Sequence, residues 1–197
     1  MNEAMKQPRI ILASASPRRI ELLRALGLDF AVAPSAVEEA QHPEGPPREL
    51  VEHNALAKAT DVASRYSTGL VIGADTIVWL DGRIFGKPCD IDDARRMLRA
   101  LAGQTHQVYS GIAIIRIEDN SRLTAHAVTD VTFRPLAEEQ IAKYLQMIHP
   151  MDKAGAYAIQ GAGGIIIEKI CGCYYNVVGL PLSLLDTMLA HFGVRLL

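Results

Sequence analysis

An aspartate stands in the middle of the most strand-like stretch of this chain. Residues 70–74 and 77–80 are rich in Leu, Val and Ile, and Asp75 sits between them. Aspartate is disfavoured in strands, and a buried carboxylate without a partner is costly. Any fold that buries this strand must therefore supply a metal ion, a cation or several hydrogen-bond donors beside Asp75. A salt bridge to Arg or Lys meets that demand as well as a metal-binding or catalytic role does, and the residues alone leave both open. Gly73, two positions earlier, lets another backbone or a ligand approach closely. Thr76 falls on the opposite face of a regular strand.

The rest of the chain predicts an α/β fold with a mixed sheet. Residues 9–13 read as a short buried strand and 17–26 as a helix ended by Gly27. A polar, Pro-rich loop over 34–47 precedes a long helix over 48–66. The strand over 70–80 turns at Asp81 and Gly82, a hairpin signal. Asp90 caps a helix that stops near Gly103. Strands are predicted over 108–117 and 125–133, joined by a polar turn, and a helix over 138–147. Two further strands, 164–170 and 174–178, precede a closing helix over 182–192. Strands and helices interleave while hairpins recur, so the sheet is mixed rather than purely parallel.

Cations stand in unusual places. Ser14 and Ser16 lie in a small-residue loop between the first strand and the first helix. Ser16 suits the N-cap and Pro17 the first helical position. Arg18 and Arg19 then fall in the first turn, where the helix end is already partly positive. An anion bound at that end explains them; so does pairing to distant carboxylates. Lys58 shares the inward stripe of Val51, Ala55 and Val62. It must extend to solvent, pair with an acid such as Glu38 or Glu39, or meet a ligand. Lys87 follows the hairpin in a rigid turn before Pro88, as a second phosphate contact or a solvated lysine. Near the end, residues 151–164 carry four glycines and Gln160, whose amide offers both a donor and an acceptor to a base edge. Asp152 and Lys153 read as a turn pair.

Bulk properties narrow the function classes. The 197 residues, 49% hydrophobic and 21% charged, suit one domain, or two lobes sharing a core. A formal net charge of −2 provides no global field for nucleic acid polymers or anionic membranes. No apolar run approaches the ~20 residues of a membrane span, and residues 1–9 lack a signal-peptide core. The odd count of three cysteines, Cys89, Cys171 and Cys173, argues for a reducing, cytoplasmic setting. The spacing of the last two does not suit a zinc site. Cations with an acid, and no Ser–His–Asp or Cys–His set, point to metal-assisted phosphate chemistry.

Several segments, in order, resemble the Maf family of nucleoside triphosphate pyrophosphatases: 12–19, 57–59, 72–78, 86–88, 101–106, 152–161 and 177–182. The resemblance covers nearly the whole chain. It implies an ITPase-like two-lobed α/β fold over 1–197, a mixed twisted sheet with helices packed around it and a central nucleotide cleft. It also implies hydrolysis between the α- and β-phosphates with Mg²⁺ or Mn²⁺, and, as in other members, a homodimer as a candidate assembly. By matching position, Asp75 takes the role of catalytic proton acceptor. Ser14, Arg19, Glu38, Lys58 and Lys87 form the polar shell for phosphates and metal, with Glu38 and Asp75 as metal ligands. Members of the dTTP/UTP group carry Arg, Thr and Gln where this chain has Arg18, Thr76 and Gln160; the group acting on 7-methyl-GTP carries Trp, Gln and Glu. The run over 54–57, Asn-Ala-Leu-Ala, departs slightly from the family, which usually has a run closer to Leu-Ala before its lysine. Two other readings remain: a pyrophosphatase for modified nucleotides only, and a nucleotide-binding regulator of septum formation. The whole expectation requires Arg19, Lys58 and Lys87 to converge on Asp75.

Overall fold

β1 (Ile10–Leu12) is the pivot of the sheet. It runs parallel to β2 (Phe30–Val32) on one side and to β3 (Leu70–Leu80) on the other. β3 turns into β4 (Arg83–Phe85) and pairs antiparallel with β5 (Thr105–Arg116); β6 (Arg122–Phe133) and β7 (Ile167–Cys171) follow, also antiparallel. The order across the sheet is β2-β1-β3-β5-β6-β7, with β4 beside β3. This computed structural model describes residues 8–40 and 45–197. Most of the polar start over 1–9, and positions 41–44 of the Pro-rich loop, lie outside the described residues.

Side-chain alternation sorts the core onto two faces. Ile10, Leu12, Leu70, Ile72, Ala74, Ile112 and Ile114 point one way, against α1 (Pro17–Ala25) and α7 (Leu182–His191). Ile11, Ala13, Val71, Ala113 and Ile115 point the other way, against α2 (Pro47–Ala63). A further cluster gathers Val78, Val108, Val131 and Phe133 under α3 (Ile91–Leu101) and α4 (Glu138–Met147). The period of two in the strands and the small residues of α2 are thus the same pattern seen from two sides.

α2 packs unusually close to the sheet. A Cβ at Gly73 would lie 2.1 Å from the Ala55 carbonyl oxygen, and one at Gly111 would lie 2.3 Å from that of Val51. The two glycines, with Ala55 and Ala59 opposite them, bring the helix backbone down onto β3 and β5. That approach was expected at Gly73.

Most predicted elements form, with shifts of a few residues at their ends. At the hairpin, Asp81 and Gly82 both adopt positive φ, 46° and 83°, as a two-residue turn requires. One expected strand fails and another is shortened. Residues 174–178 form a short helix, α6 (Tyr174–Val178), whose chain reverses at Gly179 with φ 118°. Its tyrosines and valines carry strand propensity, but the buried Asn176 amide donates to the Val108 carbonyl and to Thr129 Oγ1, and this anchors a helical turn. The expected strand over 164–170 begins instead as a helical turn, α5 (Gly163–Ile166), and only then becomes β7. β2 carried no sequence expectation.

Candidate active site

The cleft arises from a gap in the sheet. β5 pairs with β3 along residues 70–79, but the opposite edge of β3 is shared. β1 covers 70–72 and β4 covers 78–80. Residues 73–77 have that edge free, and Asp75 and Thr76 lie in the opening. The strand order reverses between β1 and β3, a position where open α/β sheets characteristically bind ligands. The resulting cleft holds about 590 Å³ and is lined from the first loop, β3, the hairpin, the 151–160 segment and the turn at Gly179.

On the α2 side, Asp75 is clamped at both oxygens. Lys58 Nζ lies 2.7 Å from Oδ1, and Asn54 Nδ2 donates to Oδ2 at 3.0 Å. Lys58 also meets Glu39 Oε1 at 2.6 Å, and Lys87 Nζ stands 4.0 Å from the same oxygen. Asp75 is 4% exposed and Lys58 8%, so the pair is a buried one whose members satisfy each other. The open-edge carbonyl of Ala74 accepts from Lys58 at 3.4 Å and, from the other face, from Arg19 at 2.9 Å.

On the opposite face, Arg19 is almost wholly committed to protein acceptors. Nε donates to the Gly179 carbonyl (2.8 Å), Nη1 to Ser14 Oγ (3.2 Å) and Ala74, and Nη2 to Thr76 Oγ1 (3.0 Å). Burial lowers its pKa, the charges of Asp75 and Glu39 oppose that, and Arg18 adds to the lowering. Its charge reaches the cleft, but few of its N–H groups remain for a ligand. Thr76 and Ser110 hydroxyls lie 2.9 Å apart, and Ser110 donates to the Asn176 carbonyl. Ser14 Oγ also accepts from the Ser16 N–H at 3.2 Å, while Ser16 itself makes no side-chain cap.

The rim is charged. Arg18 crosses to Asp152, donating to Oδ2 at 3.0 Å and to the carbonyl at 3.2 Å. Lys153 pairs with Asp152 at 2.5 Å. Arg18 therefore has a distant carboxylate as partner, and Asp152 and Lys153 form the expected turn pair. Gln160 is exposed on the cleft wall.

Of the predicted site residues, Ser14, Arg18, Arg19, Lys58, Asp75, Thr76, Lys87 and Gln160 line one cleft. Glu38 does not: it is exposed and outside the lining. Its neighbour Glu39 is the acid that reaches Lys58, in a loop that Asn54 pins at the next residue, Ala40. Asn54 carried no expected role, although a polar residue four before Lys58 on the buried side of α2 was its signal. Asp75 and Glu39 together fit a hard divalent cation. Mg²⁺ takes one or two carboxylates and completes its shell with phosphate oxygens and water. Among the described residues no group of three or more His, Cys, Asp or Glu is placed to hold a metal by itself.

The model of the family described as Maf-like protein matches residues 9–192. The chain belongs to the Maf family. It is 51% identical over 186 residues to a dTTP/UTP pyrophosphatase of Symbiobacterium thermophilum, covering 94% of each chain. It is 47% identical over 189 residues to one from Dictyoglomus thermophilum, covering 95% of this chain and 98% of that one. Among solved structures, the Ham1 protein of Staphylococcus aureus aligns with a TM-score of 0.54 at 15% identity, over 93% of this chain and 98% of that one. The ITPase-like mixed α/β fold is therefore the observed one. Most of the Maf segments recognised in the sequence contribute residues to the cleft. His106 of segment 101–106 lies behind it, 1% exposed, with Nε2 2.8 Å from the hydroxyl of Tyr157, a cleft residue. Burial pushes the His106 pKa down to about 4.

Proposed function

We propose that this chain hydrolyses dTTP and UTP to the monophosphate and pyrophosphate with Mg²⁺ or Mn²⁺ as cofactor. The observation that carries the reading is the clamped Asp75 at the open edge of β3, with Lys58, Glu39 and Lys87 gathered beside it. The names of relatives about half identical over nearly the full chain support the substrate.

In this mechanism, water attacks phosphorus at the α–β anhydride, the bond to the bridging oxygen breaks, and pyrophosphate departs with the electron pair. Asp75 receives the proton of the water. Lys58 and Lys87 balance the charge that develops on the departing group, and Arg19 adds its field from the other face. Glu39, in place of Glu38, joins Asp75 in holding the divalent cation, which when bound neutralises phosphate charge. The N-terminal end of α1 with Ser14 and Ser16 offers backbone N–H groups to a phosphate. Arg18, Thr76 and Gln160 form the base-selective side, where a glutamine amide suits the mixed donor and acceptor edge of a pyrimidine. The three cysteines among the described residues are all free, which supports a cytoplasmic setting. No helix among the described residues is long and apolar enough to cross a membrane.

The test is pyrophosphate release from a panel of common and modified triphosphates, including 5-methyl-UTP and pseudo-UTP, with metal supplied and chelated. The expected result is turnover of dTTP and UTP that chelator abolishes and Mg²⁺ or Mn²⁺ restores. Asp75→Asn is expected to bind nucleotide and not cleave it. Turnover persisting in excess chelator removes the metal, and exclusive turnover of modified nucleotides removes the substrate assignment.

A further inference from the structure

Asn54 touches both halves of the acid site at once. Its Oδ1 accepts from the Ala40 N–H at 3.0 Å, and its Nδ2 donates to the Ala40 carbonyl at 3.1 Å and to Asp75 Oδ2 at 3.0 Å. A backbone N–H can only donate and a carbonyl can only accept, so the Ala40 contacts fix which end of the amide is which. The Nδ2 end must then face Asp75. Asn54 is 3% exposed and stands one helical turn before Lys58. The two side chains leave the same face of α2 and take the two oxygens of one carboxylate, Lys58 on Oδ1 and Asn54 on Oδ2.

We propose that Asn54 is a positioning residue for hydrolysis, holding the Asp75 carboxylate in one orientation while pinning the loop that brings Glu39 to Lys58. The inference rests on the reading of Asp75 as the acid of the reaction. With Asn54 removed, Oδ2 is a buried anionic oxygen with one fewer donor, and the carboxylate is free to turn about its last bond. Ala40, next to Glu39, loses its anchor in the same step, so both acids drift together. The loop has a second tie that allows the two effects to be separated. Asp61 Oδ2 accepts from Ser35 Oγ at 2.7 Å and from the Ala36 N–H at 3.1 Å, and these contacts do not involve Asp75.

The experiment compares wild type, Asn54→Leu, Asn54→Asp and Asp61→Ala for dTTP turnover, for binding of a non-hydrolysable dTTP analogue, and for thermal unfolding. Leucine keeps the branched shape and removes all three hydrogen bonds. Aspartate keeps the acceptor for the Ala40 N–H and removes the donor to Asp75 and to the Ala40 carbonyl. Both Asn54 variants are expected to lose roughly 10- to 100-fold in kcat, with KM and analogue affinity within roughly threefold. Asp61→Ala is expected to keep kcat within roughly threefold, since only the far end of the loop loosens. If Asn54→Leu does not fold, Asn54→Asp carries the same expectation. A folded Asn54 variant with wild-type kcat overturns the proposal. So does a kcat loss in Asp61→Ala equal to that of the Asn54 variants, which assigns the effect to the loop. If Asp75→Asn itself retains full turnover, the reading of Asp75 is what has failed, and the proposal fails with it.

Discussion

Gly73→Ala is the substitution that most directly tests how the site is built. The new Cβ would lie 2.1 Å from the Ala55 carbonyl oxygen and 2.9 Å from the Ala59 nitrogen, where real Cβ contacts start at 3.0 Å. The obstructing atoms are helix backbone, so no side chain can swing aside. α2 must rise by about 0.9 Å, or β3 must sink by as much. Overpacking of this kind costs roughly 1–3 kcal/mol, which lowers Tm by roughly 2–12 °C in a chain of this size. The helix carries Lys58 with it. The Lys58 and Asn54 contacts to Asp75, 2.7 and 3.0 Å, are strained by a shift of up to that size. A misplacement near 1 Å costs roughly 100-fold in rate where it disturbs the reacting geometry. Thermal unfolding and dTTP turnover are measured beside Gly164→Ala, where an added Cβ meets nothing within 4 Å. If Gly73→Ala melts with wild type and keeps wild-type kcat, the close helix is not what sets the site.

Glu39→Gln is expected to lower kcat by roughly tenfold or more, while Glu38→Gln stays within roughly twofold; equal effects would return the assignment to either acid. Arg18→Trp and Gln160→Glu are each expected to reduce dTTP and UTP turnover with little change in Tm, because both side chains lie on the cleft surface; unaltered nucleotide preference in both contradicts their role at the base. His106 is held neutral with its pKa lowered from 6.5 to about 4. The unfolded chain therefore takes up a proton as pH falls through 6.5, and the folded chain does not until about 4. Stability present above pH 6.5 is lost across that window, by about 3 kcal/mol at most; denaturant titrations at pH 7.5 and 4.5 read it, and His106→Asn flattens the slope.

What the sequence disclosed follows from where chemistry is costly. A carboxylate among strand formers and a lysine on an apolar stripe are both expensive alone, so each announced a partner, and the two prove to be partners of each other. Gly73 likewise announced a close neighbour. The loop over 34–40 had no such lever. It has no period to say whether Glu38 or Glu39 turns inward, and the answer depends on the ties from Asn54 and Asp61, which are tertiary. α6 misled for the opposite reason: its local preference for strand was strong, and the buried Asn176 overrode it. β2 has three half-buried or exposed residues at a sheet edge, too few for alternation to register.

The local charge of the cleft, not that of the chain, decides its ligand. The chain carries −2 overall. Arg18, Arg19, Lys58, Lys87 and Lys153 line the cleft, against Glu39, Asp75 and Asp152, five cations to three carboxylates and a local balance of +2. Each carboxylate is already matched: Asp75 by Lys58, Glu39 by Lys58 and Lys87, Asp152 by Arg18 and Lys153. These acids offset the mutual repulsion of the cations. The excess positive charge still suits a polyanion over a neutral ligand. On the proposed reading, a divalent cation held by Asp75 and Glu39 would compete with Lys58 for the same oxygens. The Lys58 ammonium would then be available as a phosphate contact, so metal and nucleotide are expected to bind better together than either does alone.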